Sequence, residues 1–124
     1  MNDCFFCKCL KNKDYAMENE YAIARFDDFP VNDGHLEIIS KRHIKTWWET
    51  TLDEKNAIFD LLDKAKEIVA EKYHPDGYNI GMNLGEEAGQ SIMHLHVHLI
   101  PRYKGDVENP RGGIRGIIPS KQNY

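Results

Sequence analysis

The run 93-MHLHVHLIP-101 constrains this chain more than any other segment. Polar and apolar residues alternate through it, and a period of two belongs to a β-strand with unlike faces. In that geometry Leu95, Val97 and Leu99 turn into a core. His94, His96 and His98 share the opposite face, about 6.6–6.8 Å from one to the next. A chain built around such a strand needs an apolar layer against one side and a task for three imidazoles on the other.

The apolar layer is supplied by 51-TLDEKNAIFDLLDKAKEIVAEKYHPDG-77. Leu52, Ile58, Phe59, Leu62, Ala65, Ile68 and Val69 recur at steps of three and four, which predicts an amphipathic helix of about five turns. Thr51 and Glu54 fit a capping box at its start, and Pro75 and Gly77 close it. Further strands are expected at 21–26, at 35–40 after Gly34, and at 78–84, with a short helix through 46–50. The order strands, helix, strands points to an α+β fold, an antiparallel sheet packed on one long and one short helix. The 124 residues read as one domain, 1–102 its core; 103–124, with four glycines and two prolines, is irregular chain over the surface or a dimer partner.

Charge and hydropathy exclude several roles. A net charge of −4 is wrong for binding a nucleic-acid polymer. The region 101–124 is locally basic, with Arg102, Lys104, Arg111, Arg115 and Lys121 against Asp106 and Glu108, which suits a small anionic ligand or a solvated tail. No apolar run approaches the ~20 residues a membrane helix needs, and no secretory leader is visible, so the expectation is a cytoplasmic protein without a membrane partner.

Cys4, Cys7 and Cys9 lie too close together to close a useful disulfide loop. Cys-x-x-Cys reads as half a zinc site or a redox pair; completing a tetrahedral site calls for two histidines, and His43 and His94 are the available pair. Cys9 competes as a ligand on spacing alone. No organic cofactor is implied.

One metal shared by all three strand histidines would need a sharp bend, because His94 and His98 stand about 13 Å apart on a straight strand. A zinc on His96 and His98 stays open, as does a row divided between tasks. Without metal, a neutral imidazole is a nucleophile near pH 7, and its neighbour can stabilise or protonate a transferring phosphoryl group. Just ahead, 81-GMNLGEEAGQSI-92 offers glycines for close backbone approach and Asn83, Gln90 and Ser91 as donors, the makings of a phosphate cradle.

With 94-HLHVHLI-100, 26-FDDFPVNDGHLEIISKRH-43 and 83-NLGEEAGQSIMH-94 in place, the chain resembles the histidine triad (HIT) superfamily, whose signature is His-φ-His-φ-His-φ-φ with φ apolar. The resemblance implies nucleotidyl hydrolase or transferase activity and a homodimer that extends one sheet. It implies His96 as the nucleophile at an α-phosphate, with His98, His35 and Ser91 beside it in the catalytic set. Asn83, Gln90, Ser91 and His98 match its phosphate positions, Asp27 its ribose position, and Phe5, Phe6, Ile23 and Phe26 contribute to a base pocket. A zinc-bearing subset maps its ligands onto Cys4, Cys7, His43 and His94. The tail resembles the branch that cleaves dinucleoside polyphosphates, whereas the zinc knuckle resembles Hint-like members. The favoured expectation is therefore a purine dinucleoside polyphosphate hydrolase. The alternatives are a nucleoside phosphoramidase, a dinucleoside polyphosphate phosphorylase, or a nucleotide-binding regulator.

Overall fold

The computed structural model describes residues 3–124. Its elements run α1 (Phe5–Lys11), β1 (Met17–Glu18), β2 (Ala22–Phe26), β3 (Leu36–Ser40), α2 (Leu52–Tyr73), β4 (Gly77–Gly81) and β5 (His96–Arg102). The strands form one antiparallel sheet in the order β1-β2-β3-β5-β4.

Period-two alternation decides what each face of the sheet does. Ala22, Ala24, Leu36, Ile38, Val97 and Leu99 turn toward α2 and meet Ile58, Leu61, Leu62, Ala65 and Val69 in the main core. The alanines of β2 let the helix lie close. Truncating a buried leucine there, such as Leu99, would cost roughly 2–5 kcal/mol. The capping box forms as the sequence predicts: Thr51 Oγ1 accepts from the Glu54 amide at 3.1 Å, and the Glu54 carboxylate accepts from the Thr51 amide at 2.8 Å. The stripe is narrower than expected, because Leu52, Phe59 and Ile68 are exposed; Phe59 lies on Trp47 with ring centroids 5.4 Å apart.

The second helix is not where the sequence suggests. Residues 46–50 make a single 3-10 turn, Trp47–Glu49, and the short α-helix is α1. Its apolar residues Phe6, Cys9 and Leu10 have helical spacing, a signal obscured by the cysteines between them. Phe6 and Cys9 pack on Ile23 and Ile39, so α1 covers part of the sheet face opposite α2. The strand at 93–101 also begins later than its alternation implies: the chain bends through 92–94, and β5 starts only at His96.

Two connections matter for the site. Gly34 has φ +89°, and a Cβ there would sit 2.8 Å from the Tyr73 ring, so only glycine delivers the chain to His35 at this spot. The tail is irregular as expected, with 3-10 turns at Gly113–Ile117 and Pro119–Lys121. Arg102 grips Asp106 through two 2.8 Å bonds and Asn79 through one of 2.7 Å.

Candidate active site and metal cluster

Register places two rows of residues on the face turned away from α2. Ile23, Ile39 and His96 pair across β2, β3 and β5, as do Arg25, Glu37, His98 and Gly81 when β4 is included. His96 is buried beneath Phe6, their ring centroids 4.8 Å apart. A cavity of about 510 Å³ opens beside it, walled by Phe5, Phe6, Phe29 and Ile92 and floored by Arg25, Asp27 and Glu37. Asn83, Ser91, His96 and His98 stand in the same cavity. A second cavity of about 600 Å³ shares Asn83 and His98 with the first and adds His35, together with Val31, Ile80, Met82 and isoleucines of the tail. The two hollows thus meet at the histidines.

Hydrogen bonds fix the tautomers. His96 Nδ1 lies 2.8 Å from the main-chain oxygen of His94, so a neutral ring donates there and keeps the lone pair of Nε2 free. His35 Nδ1 accepts from the Val31 amide at 3.1 Å, which puts the His35 proton on Nε2. That proton goes to His98 Nδ1, 2.9 Å away, so the proton of a neutral His98 is on Nε2. Burial, then the charges of His96 and His35, push the His98 imidazole down to about 4, and it is neutral at pH 7. One ring of the row therefore carries a free lone pair and the next a free N–H.

Asp27, His35 and His98 also bring ligand atoms within 4.8 Å of one another. The donor chain from Val31 through His35 to His98 accounts for that proximity without a cation.

His94 takes a different direction. Its Nδ1 lies 3.4 Å from Cys4 Sγ, 3.6 Å from Cys7 Sγ and 3.1 Å from His43 Nδ1, while Cys7 Sγ is 3.2 Å from His43 Nδ1. A tetrahedral zinc with Cys₂His₂ ligands sets such edges at about 3.4–3.8 Å. His94 Nε2 donates to the Ser40 carbonyl at 2.7 Å, which aims Nδ1 at the cluster as an outer-shell partner should. The donor set fits zinc. Cys9 stands apart: its thiol is buried and points toward Asp14 at 3.9 Å.

The floor of the first cavity carries charge that the sequence reading did not assign. Arg25 is 5% exposed; its Nη2 meets Asp14 at 2.9 Å and Asp28 at 3.3 Å, and its Nε meets the Asp14 carbonyl at 3.2 Å. Its Nη1 is buried without a hydrogen bond, 3.5 Å from Glu37 Oε1. Burial and the neighbouring Asp27 push the Glu37 carboxyl up to about 8, against the pull of Arg25. Burial also opposes charge on Asp27, yet the Phe29 amide at 2.8 Å and the Glu37 carboxyl hold it below the usual range. Glu37 thus carries the proton and Asp27 the charge.

Other expected residues fall elsewhere. Phe26 is on the α2 side, near Tyr73, and Ile23 is sealed beneath α1, so neither lines the cavity. Residues an odd number apart on a strand cannot share a face, which separates Ile23 from Phe26. Gln90 is buried and spends its amide on the chain, accepting from Gly85 N at 2.8 Å and donating to Lys45 O at 2.9 Å. Arg102 is engaged by Asp106, and Arg111 and Arg115 lie over the Tyr124 ring at 5.1 and 4.6 Å.

An antiparallel α+β fold with a histidine row at a two-part cleft defines the class of protein, and comparison with known proteins gives the family. The model of the HIT domain matches residues 11–105, and the chain belongs to that family. It is 36% identical over 108 residues to the protein named hit from Bacillus subtilis, covering 84% of this chain and 74% of that one. It is 37% identical over 79 residues to an AP-4-A phosphorylase from Mycobacterium tuberculosis, covering 63% of this chain and 40% of that protein. A crystal structure of a Zn-bound histidine triad family protein from Mycobacterium smegmatis superimposes with a TM-score of 0.75 at 29% identity, covering 84% of this chain and 78% of that one.

Proposed function

We propose that this protein is a nucleotidyl hydrolase or transferase that works through a covalent nucleotidyl-His96 intermediate. The observation that carries the reading is the bond from His96 Nδ1 to the His94 carbonyl, which leaves Nε2 as a free nucleophile at the cavity. The Nε2 lone pair attacks the α-phosphorus while the phosphorus–leaving-group bond breaks and the departing group takes the electron pair. His98 Nε2–H, held by His35, donates to the oxygen on which charge builds, and Asn83 and Ser91 border the same space. Asp27 faces the ribose. Water or phosphate then attacks the same phosphorus, and His96 Nε2 recovers its electron pair.

Zinc on Cys4, Cys7, His43 and His94 is read as structural, tying α1 to the sheet. The active unit is read as a homodimer formed through sheet extension.

For the leaving group, the likeness to an AP-4-A phosphorylase supports a dinucleoside polyphosphate. The second cavity favours another reading, a nucleoside phosphoramidate, because its lining is mostly apolar and includes neither lysine nor arginine. Turnover of dinucleoside polyphosphates against phosphoramidates, with and without inorganic phosphate, separates hydrolase, phosphorylase and phosphoramidase. A reaction stopped by denaturation at alkaline pH, where a phosphorus–nitrogen bond to imidazole survives, and analysed by mass spectrometry is expected to show a nucleotidyl group on His96. His96→Asn should lose both adduct and turnover; full activity in that variant ends the proposal.

A further inference from the structure

Glu37 is a carboxyl group more than the floor of the first cavity has charge to balance. Asp14 and Asp28 already serve the Arg25 guanidinium at 2.9 and 3.3 Å, and Glu37 brings a third carboxyl group, its Oε1 3.5 Å from Nη1. A fourth follows, because Glu37 is hydrogen-bonded to Asp27 in the same cavity. Two carboxyl groups bond to each other only through a shared proton, so one of the pair is an acid. Glu37 is that one: it is 5% exposed, whereas Asp27 takes the Phe29 amide as a donor to its charge. Arg25 lies beneath the Phe5 ring, 5.1 Å from its centroid, and its Nη1 makes no hydrogen bond. Glu37 is thus bonded to Asp27 rather than to the guanidinium.

We infer that Glu37 is a positioning residue whose carboxyl hydroxyl donates to Asp27 and holds that carboxylate ready to accept from the ribose hydroxyls. This inference rests on the nucleotidyl reading above, in which Asp27 faces the ribose. The main chain of Asp27 is tied by its amide to the His35 carbonyl at 2.9 Å, and Oδ1 accepts from the Phe29 amide at 2.8 Å. Glu37 adds a side-chain anchor from the neighbouring strand, so the carboxylate meets the sugar already ordered. An apolar residue at 37 would cover the floor as well but would leave Asp27 free to turn. Glu37 acts through Asp27 and touches no part of the nucleotide.

The anchor lasts only while Glu37 keeps its proton, and burial with the nearby Asp27 pushes its carboxyl up to about 8 against the pull of Arg25. Below that value the bond to Asp27 is in place. Above it Glu37 is charged, repels Asp27 and has the unmet Nη1 of Arg25 as its other partner. The remaining groups around the pair do not titrate in the same range. His98, which pairs with Glu37 across β5, and His35 beside Asp27 are both lowered from 6.5 by burial and stay neutral from pH 7 to 9. On α1, burial raises the Cys9 thiol above its ordinary 9.0, and Phe5 and Phe6 carry no charge.

The test is equilibrium binding of AMP and GMP, each beside its 2′,3′-dideoxy counterpart, to the full chain between pH 7 and 9. Counterparts share base and phosphate, so their ratio cancels every titration not tied to the sugar. The wild type should favour the ribonucleotides about tenfold or more at pH 7, the scale of hydrogen bonds to a charged group. It should lose about threefold or more of that preference by pH 9, as Glu37 gives up its proton. In Glu37→Gln an amide N–H still donates to Asp27 and cannot ionise, so the preference should stay level, near the wild-type value at pH 7. Glu37→Leu has no donor and should show a reduced preference at every pH. Circular dichroism checks that both variants are folded. A wild-type preference that is absent or unchanged with pH overturns the inference and leaves the nucleotidyl reading standing. So does a preference that falls equally in Glu37→Gln, or one that is undiminished in Glu37→Leu. Failure of the wild type to bind either ribonucleotide brings down both. If Glu37→Leu does not fold, the pH profiles of the wild type and Glu37→Gln decide.

Discussion

His96 donates from Nδ1 to the main-chain oxygen of His94 over 2.8 Å, while the side chain of His94 turns away to Cys4, Cys7 and His43. The residue that orients the His96 ring is thus also a member of the Cys/His cluster. Removing the cluster should therefore disturb His96 through the backbone, without touching substrate groups. In Cys4→Ser/Cys7→Ser, elemental analysis is expected to show loss of bound zinc, the melting temperature to fall, and kcat to drop more than KM rises. His98→Asn should keep its zinc. Zinc retained by the double-serine variant and lost from His98→Asn would place the metal on the histidines of β5 instead.

Acid stability provides a second prediction. His98 is held down to about 4 by burial and by the neighbouring histidines, against an ordinary value of 6.5. Between those values the unfolded chain binds a proton that the folded one refuses, so this contribution is intact above about 6.5 and is lost as pH falls toward 4. His98→Asn removes the group from both states. The melting temperature of the wild type should consequently fall further between pH 7 and pH 4.5 than that of His98→Asn. Parallel falls in the two proteins would refute the assignment.

Glu54 predicts the opposite kind of linkage at a different pH. Its side chain is 4% exposed, and the Arg42 guanidinium holds it down to about 2, with the Thr51 amide assisting against burial. A carboxylate depressed in the folded state adds stability above its ordinary 4.5 and loses it as pH falls through about 2. Glu54→Gln keeps the shape but not the charge. It should cost about 2 kcal/mol at pH 7, a value reduced for the half-exposed Arg42, and the cost should shrink below pH 4. Thermal melts of both proteins across that range read it directly.

What was legible in the sequence follows from periodicity. Alternation at 93–101 sorted Leu95, Val97 and Leu99 from the histidines correctly, and the capping residues Thr51 and Glu54 marked where α2 begins. Periodicity says nothing about where a strand stops being straight. The divergence of His94 comes from the bend at 92–94, after which the Leu95 amide bonds to the Ile44 carbonyl at 2.7 Å, a contact 51 residues distant along the chain. The Arg25–Glu37 pair was invisible for a related reason. Each looks like an ordinary strand charge, and only the register of β2 against β3 makes them neighbours beneath a cavity. Helix α1 had its signal, Phe6 with Cys9 and Leu10, but three cysteines within six residues mask that spacing.

Gln90 carries the last prediction, because its position favours a role distinct from contact with phosphate. Its Oε1 accepts from the Gly85 amide at 2.8 Å, and its Nε2 donates to the Lys45 carbonyl at 2.9 Å and the Ile92 carbonyl at 3.3 Å. The side chain spans the loop that carries Asn83 and Ser91 to the cavity, and the loop turns through Gly85 and Gly89 at φ +98° and +94°. With the amide removed in Gln90→Ala, the loop loses three anchors while every group facing the cavity is unchanged. The expected result is faster hydrogen exchange at the Gly85 amide and a fall in kcat/KM of about tenfold, the scale of a modest misplacement of positioning groups. A residue that bound phosphate directly would instead lose affinity with the Gly85 amide still protected, and that pattern would return Gln90 to the ligand-binding set.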